Sequence, residues 1–179
     1  MRKELEVSAV SIHAYPEISE NYALMNCGAS MGEGYGPMIV AKQGVSEEEA
    51  KSSPIAVPGL KTSAYLGIRL CWGDLQYEVV PFDEIIPRIL DDTYKSGLII
   101  HEGQLTYVDH DLNVLANLGI WWNEKTGGLP MPLGGNVVRR DLGQKMMEDI
   151  TMYTKMSIEH SIANPDTALE FACLLYTSD

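Results

Sequence analysis

Short apolar runs, each stopped by a residue that ends a strand, constrain this chain most. Ile55-Ala56-Val57 stops at Pro58-Gly59, Leu98-Ile99-Ile100 stops at His101, and the strand-like Tyr77 to Pro81 ends on its own proline. Helical segments lie between them. Thr62-Ser63 stands ahead of Ala64-Tyr65-Leu66-Gly67-Ile68-Arg69-Leu70, the placement of a hydroxyl that caps a helix start. Phe82 to Leu90 reads as a second helix. Strands alternating with helices predict an α/β architecture with parallel pairing. The unbroken apolar runs predict strands buried on both faces.

On either side of this block the pattern continues. Leu5 to Ile12 reads as a strand punctuated by Pro16, with a short helix over residues 16–22, and Met38-Ile39-Val40-Ala41 reads as another strand. Gly135-Asn136-Val137-Val138-Arg139 is strand-like. Asp141 is the expected cap of a long helix on which Leu142, Met146, Ile150 and Tyr153 recur at helical spacing. Asn164-Pro165 resets the chain for a last helix. Two segments, Gly36 to Lys42 and Leu129 to Arg140, are strands flanked by glycine and proline, as expected of crossings between lobes. They set lobe 1 at residues 1–40 and 130–179 and an inserted lobe 2 at residues 41–129, with a ligand cleft between them.

Charge and cysteine content remove several classes of function. Among 179 residues, 13 Lys and Arg face 25 Asp and Glu, a formal charge of −12. Such an excess of acid argues against nucleic acid as a partner, which needs clustered cations. It leaves small anionic ligands open. No stretch of roughly 18 uncharged apolar residues is present, so no membrane span is expected. Cys27, Cys71 and Cys173 are far apart with no CxxC pair, so neither a zinc ribbon nor a disulfide framework is indicated, and a reducing cytoplasm is the expected compartment. The N-terminal residues lack the apolar core of a secretory signal.

Few residues offer chemistry. His101 ends an apolar strand, where an imidazole faces the ligand side of an open α/β sheet and exchanges protons near neutral pH. A half-buried structural histidine reads the same way. Strand alternation turns the neighbouring Glu102 to the opposite side. Thr62-Ser63-Ala64 opens a helix whose free amides attract anions, or simply caps it. Ser11 is the corresponding strand-end hydroxyl of the first lobe, or a turn residue. Gly32, Gly34 and Gly36 form a G-x-G-x-G run, but Pro37 and a strand follow where a dinucleotide site needs a helix, so a hinge loop is expected instead. Asp109-His110-Asp111 matches no common ligand spacing and predicts no metal site. Cys71 reads as packing and Trp121-Trp122 as core or interface, while His13, near a loop, reads as a surface residue or a ligand contact. No Gly-x-Ser-x-Gly elbow is present.

Five segments occur together in this order: Ser11-Ile12-His13-Ala14-Tyr15-Pro16, Gly28 through Pro37, Pro81-Phe82-Asp83-Glu84-Ile85, His101-Glu102-Gly103-Gln104-Leu105-Thr106-Tyr107, and Pro132-Leu133-Gly134-Gly135-Asn136. Together they resemble the 1,4-dihydroxy-6-naphthoate synthase family, menaquinone-pathway lyases of the futalosine route. The resemblance covers nearly the whole chain, and the His-Glu-Gly-Gln-Leu-Thr-Tyr segment is its most specific part. It implies a periplasmic-binding-protein-like fold of two α/β lobes and a cytoplasmic enzyme without metal or organic cofactor. Its small-molecule substrate is cyclic dehypoxanthine futalosine, split into 1,4-dihydroxy-6-naphthoate and a ribose-derived fragment. It implies His101 as proton acceptor and Ala9, Val10, Ser11, Ser63 and Ala64 as substrate contacts. Family members begin earlier and continue further, and the closing residues 173–179 read as translated adapter sequence, so a fragment truncated at both ends is expected. A non-catalytic solute-binding protein of the same fold and a chorismate dehydratase relative are the alternatives.

Overall fold

The apolar runs become strands because each is short, β-branched and stopped by a turn residue. The computed structural model describes residues 5–101 and 103–176. In chain order the elements begin with β1 (Val7–Ser11), β2 (Tyr22–Leu24), β3 (Ser30–Gly32), β4 (Met38–Lys42), α1 (Glu47–Lys51), β5 (Ile55–Val57) and α2 (Ser63–Trp72). They continue with β6 (Tyr77–Val79), α3 (Ile85–Leu90), β7 (Ser96–Ile99), α4 (Gly103–Thr106), β8 (Leu112–Asn117) and α5 (Leu118–Thr126). The last are β9 (Met131–Arg139), α6 (Gln144–Ala163) and α7 (Pro165–Tyr176). The readings made of Glu102 and of residues 177–179 lie outside the described residues. Two compact units emerge: Met1–Val10, Glu17–Ala29 and Gly135–Asp179 form one, and Ser11–Pro16 with Ser30–Gly134 form the other.

The second unit is built on a five-stranded sheet in the order β6-β5-β7-β4-β8. Side chains alternate across it with period two. Ile39, Ile55, Val57 and Leu98 face one way and meet Ala64, Tyr65 and Ile68 of α2 and Leu118 of α5. Val40, Ala56 and Ile99 face the other way and meet Ile85, Ile86 and Ile89 of α3. Burial on both faces is therefore as expected, but all-parallel pairing is not found. β5 runs parallel to β6 and β7, whereas β4 is antiparallel to both β7 and β8. A strand sealed on two faces reads as an unbroken apolar run whichever way its neighbours point, so β4's reversal left no mark in the residues.

In the first unit β9 lies between β1 and β2. β2 pairs antiparallel with it, in the register Tyr22↔Arg139, Ala23↔Val138 and Leu24↔Val137. Ile18, Tyr22, Met25, Val137 and Val138 are its buried apolar residues. The segment expected as a short helix over residues 16–22 is a 3₁₀ turn, Tyr15–Glu17, with β2 already begun at Tyr22. Asp141 does not cap the long helix. α6 starts after Gly143 without a side-chain cap, and Asp141 instead accepts from Arg139 Nε at 2.6 Å. Among the described residues no helix is long and apolar enough to cross a membrane.

Candidate functional site

In the second unit, β5 leads into α2 and β7 leads to His101. These strands are parallel neighbours, with Ala56 opposite Gly97, so both connections leave the same edge of the sheet. β4 begins on that edge and β8 ends there, Met38 standing opposite both Ile99 and Asn117. The carboxyl edge of an open α/β sheet is where such folds place ligands.

The opening of α2 is held by its own sequence. Thr62 is extended at φ −76° and ψ 146°, and its Oγ1 accepts from Tyr65 N at 3.0 Å as an N-cap. The same hydroxyl donates to Gly59 O at 2.8 Å, fastening the cap to the turn that ends β5. Ser63 and Ala64 follow, both buried. Ser63 Oγ donates to Leu133 O at 2.6 Å and lies 2.9 Å from Ser11 Oγ. One hydroxyl proton serves one acceptor, so Ser63 spends its proton on Leu133 and Ser11 is the donor in the serine pair. Among the described residues the amides of Ser63 and Ala64 find no acceptor in the protein, the usual state of the first turn of a helix.

Ser11 and Ser63, 52 positions apart in sequence, are thus brought together. Ala9 and Val10 lie on β1, the first exposed and the second half-buried. His101 is placed differently from the expectation. β7 ends at Ile99, and His101 sits beyond it with φ 51°, in a left-handed turn and not on the strand's pleat. Its residue is exposed, and its ring meets the edge of Phe82 at 5.6 Å. With its amide turned to satisfy both ends, Gln104 accepts from His101 N at 3.3 Å and donates to Gly36 O at 3.1 Å. Gln104 N also donates to His101 O at 3.1 Å.

Three residues gain roles beyond the sequence reading. His13, where a surface role or a ligand contact is expected, is half-buried, and its Nδ1 lies 3.1 Å from Thr62 O. Leu133 supplies a carbonyl, for which no residue type is a signal, although its Pro-Leu-Gly-Gly-Asn segment stood out. Gly119, with Gly36, marks a close backbone approach. A Cβ on Gly36 would come 2.7 Å from Gly119 N, and one on Gly119 would come 2.0 Å from Tyr35 O. Gly36 and Gly119 therefore let the segment ahead of β4 touch the start of α5. Asp109 and His110 belong to the 3₁₀ turn Tyr107–His110, which Asp111 closes at φ 52°. Among the described residues no three His, Cys, Asp or Glu side chains converge as metal ligands would. A groove of about 450 Å³ opens beside the last turn of α2 and the first turns of α5, lined in part by Lys51, Cys71, Trp72 and Trp121. It holds none of the predicted site residues, and burial there pushes the Cys71 thiol above its ordinary value.

Comparison with known proteins agrees with this architecture. The protein AF1704 from Archaeoglobus fulgidus superposes with a TM-score of 0.89 at 41% identity, over 98% of this chain and 65% of that one. The arginine-, lysine-, histidine-binding protein ArtJ from Geobacillus stearothermophilus superposes with a TM-score of 0.54 at 14% identity, over 89% of this chain and 66% of its own. The fold is therefore the periplasmic-binding-protein-like α/β fold. A curated 1,4-dihydroxy-6-naphthoate synthase from Thermus thermophilus is 34% identical over 167 residues, 93% of this chain. The chain spans 60% of that relative's length. A family model described as menaquinone biosynthesis matches residues 1–174, and the chain belongs to that family.

Proposed function

We propose that this chain carries the proton-accepting and substrate-contacting groups of a lyase that splits cyclic dehypoxanthine futalosine into 1,4-dihydroxy-6-naphthoate and a ribose-derived fragment. The naphthoate synthase name of its Thermus thermophilus relative supports the reading. The structural observation that carries it is the common sheet edge, where His101 and the opening of α2 follow neighbouring parallel strands. In this mechanism His101 takes a proton from the bound substrate. The bonding pair left behind drives cleavage of a carbon–carbon or carbon–oxygen bond, and the imidazolium gives its proton up before the next cycle. A base so placed contributes about 10²–10⁴-fold. Ser11, Ser63 and Ala64 hold the substrate, and Ala9 and Val10 are proposed as further contacts. The reading invokes no metal or organic cofactor and implies a cytoplasmic enzyme.

The test incubates the chain with cyclic dehypoxanthine futalosine and follows naphthoate chromatographically. Wild type is expected to form it, and His101→Ala to lose at least about 100-fold in rate while calorimetry shows substrate affinity retained. Turnover by His101→Ala at the wild-type rate would remove that residue from the mechanism. A wild-type chain that neither binds nor converts the substrate would reject the reading outright.

A further inference from the structure

We infer that Ser11 and His13 form an acceptor pair that reads a hydroxyl-bearing, sugar-like part of the substrate at the opening of α2, in preference to a carboxylate. The inference rests on the lyase reading for the identity of the substrate. It rests on hydrogen-bond direction for everything else.

His13 is fastened three ways to α2. Its Nδ1 lies 3.1 Å from Thr62 O, its backbone N donates to Ser63 Oγ at 3.4 Å, and its ring stacks on Tyr65 with centroids 6.5 Å apart and planes inclined by 22°. A carbonyl oxygen only accepts, so Nδ1 carries a proton. In the neutral ring the lone pair then sits on Nε2. That nitrogen has no partner among the described residues and is not sealed from solvent. A side chain merely exposed at a surface has no need of three restraints. A ring with one nitrogen committed and the other open is an oriented acceptor, its ordering cost met before any ligand arrives.

Ser11 reaches the same polarity by another route. Ser63 Oγ gives its proton to Leu133 O at 2.6 Å, so the 2.9 Å contact between the serines consumes the proton of Ser11. Ser11 Oγ is left with lone pairs only. The side chains at this place therefore offer two acceptors and no spare donor. A carboxylate is acceptor-only and meets them lone pair against lone pair. A hydroxyl has a proton to give, and its oxygen is free to accept from the amides of Ser63 or Ala64. A vicinal diol, as in a ribose ring, has two such protons to give.

The experiment uses methyl β-D-ribofuranoside and benzoate as separate probes of the ¹⁵N-labelled chain. The ribofuranoside is expected to shift the amide resonances of Ser63 and Ala64 and the Nε2 resonance of His13, and benzoate to leave them in place. Long-range ¹H–¹⁵N spectra of the free chain are expected to show the neutral His13 ring protonated on Nδ1. His13→Asn keeps an amide donor for Thr62 O and removes the Nε2 acceptor, so it is expected to weaken ribofuranoside binding about tenfold, the worth of one hydrogen bond. His13→Gln, which places an acceptor near the Nε2 position, is expected to recover part of that loss. Benzoate shifting the Ser63 and Ala64 amides while the ribofuranoside does not would overturn the inference. So would equal ribofuranoside affinity in wild type and a folded His13→Asn, or a neutral His13 protonated on Nε2. Ribofuranoside binding without conversion of cyclic dehypoxanthine futalosine would sink the lyase reading and leave the acceptor pair supported. Conversion with an unchanged KM in His13→Asn would do the reverse.

Discussion

His101 occupies the left-handed region at φ 51°, where a residue with a Cβ bears a cost of about 1–2 kcal/mol. The turn is held there by Gln104, which bonds both the backbone N and O of His101. Strain held in place by neighbours is common where a side chain must be aimed. His101→Gly removes both the imidazole and the steric penalty. Its stability in urea is expected to equal wild type or exceed it by up to about 1 kcal/mol, while naphthoate formation is lost. A destabilised His101→Gly would instead mean that the ring's contact with Phe82 outweighs the backbone cost. The residue type and its place after an apolar run were legible in the sequence. The left-handed backbone was not, because histidine carries no turn signal comparable to glycine. His13 was harder to read. Its bond to Thr62 O spans 49 positions, and a carbonyl is the same in every residue.

Elements were legible where a side chain sets them locally. The start of α2 followed from Thr62, and the strands β5 and β7 from their apolar runs. Long-range choices were not legible: β4's direction depends on which edges of β7 and β8 it meets, and α6 begins at an uncapped Gly143 where Asp141 was expected to act. The contact between the segment ahead of β4 and the start of α5 is of the same long-range kind, and it makes a graded prediction. A Cβ on Gly119 would stand 2.0 Å from Tyr35 O and 2.1 Å from Tyr35 C. Both are backbone atoms that cannot swing aside. Gly119→Ala is therefore expected to cost about 3 kcal/mol or more in stability, the upper end of overpacking. Gly34 is left-handed at φ +73° with nothing within 4 Å of an added Cβ, so Gly34→Ala meets only backbone strain, about 1 kcal/mol. Thermal denaturation of the two variants checks the order. A Gly34→Ala chain less stable than Gly119→Ala would mean that the glycine run is selected for turn geometry and not for close approach.

Across the whole molecule, burial is unevenly shared, and protection from hydrogen exchange should follow it. In the second unit Ile39, Val40, Ile55, Ala56, Val57, Leu98 and Ile99 are all at most 1% exposed, so β4, β5 and β7 are sealed on both faces. Opening them exposes nearly the full cross-section of that core. In the first unit α6 runs for 20 residues without one buried side chain. One of its faces is half-buried, through Met147, Ile150, Thr151, Thr154 and Ile158. The opposite stripe, Met146, Met152, Tyr153 and Met156, is exposed. A helix anchored on one side opens at lower free energy than strands enclosed on two, since less apolar surface meets water when it does. Amides of β4, β5 and β7 are expected to exchange only through global unfolding. Those of α6 are expected to exchange at least about 100-fold faster, a gap of roughly 3 kcal/mol in opening free energy. Mass-resolved exchange on the whole chain at neutral pH separates the two groups of peptides. Equal protection in α6 and β7 would mean that the molecule opens as one cooperative body and that the burial difference does not set local stability.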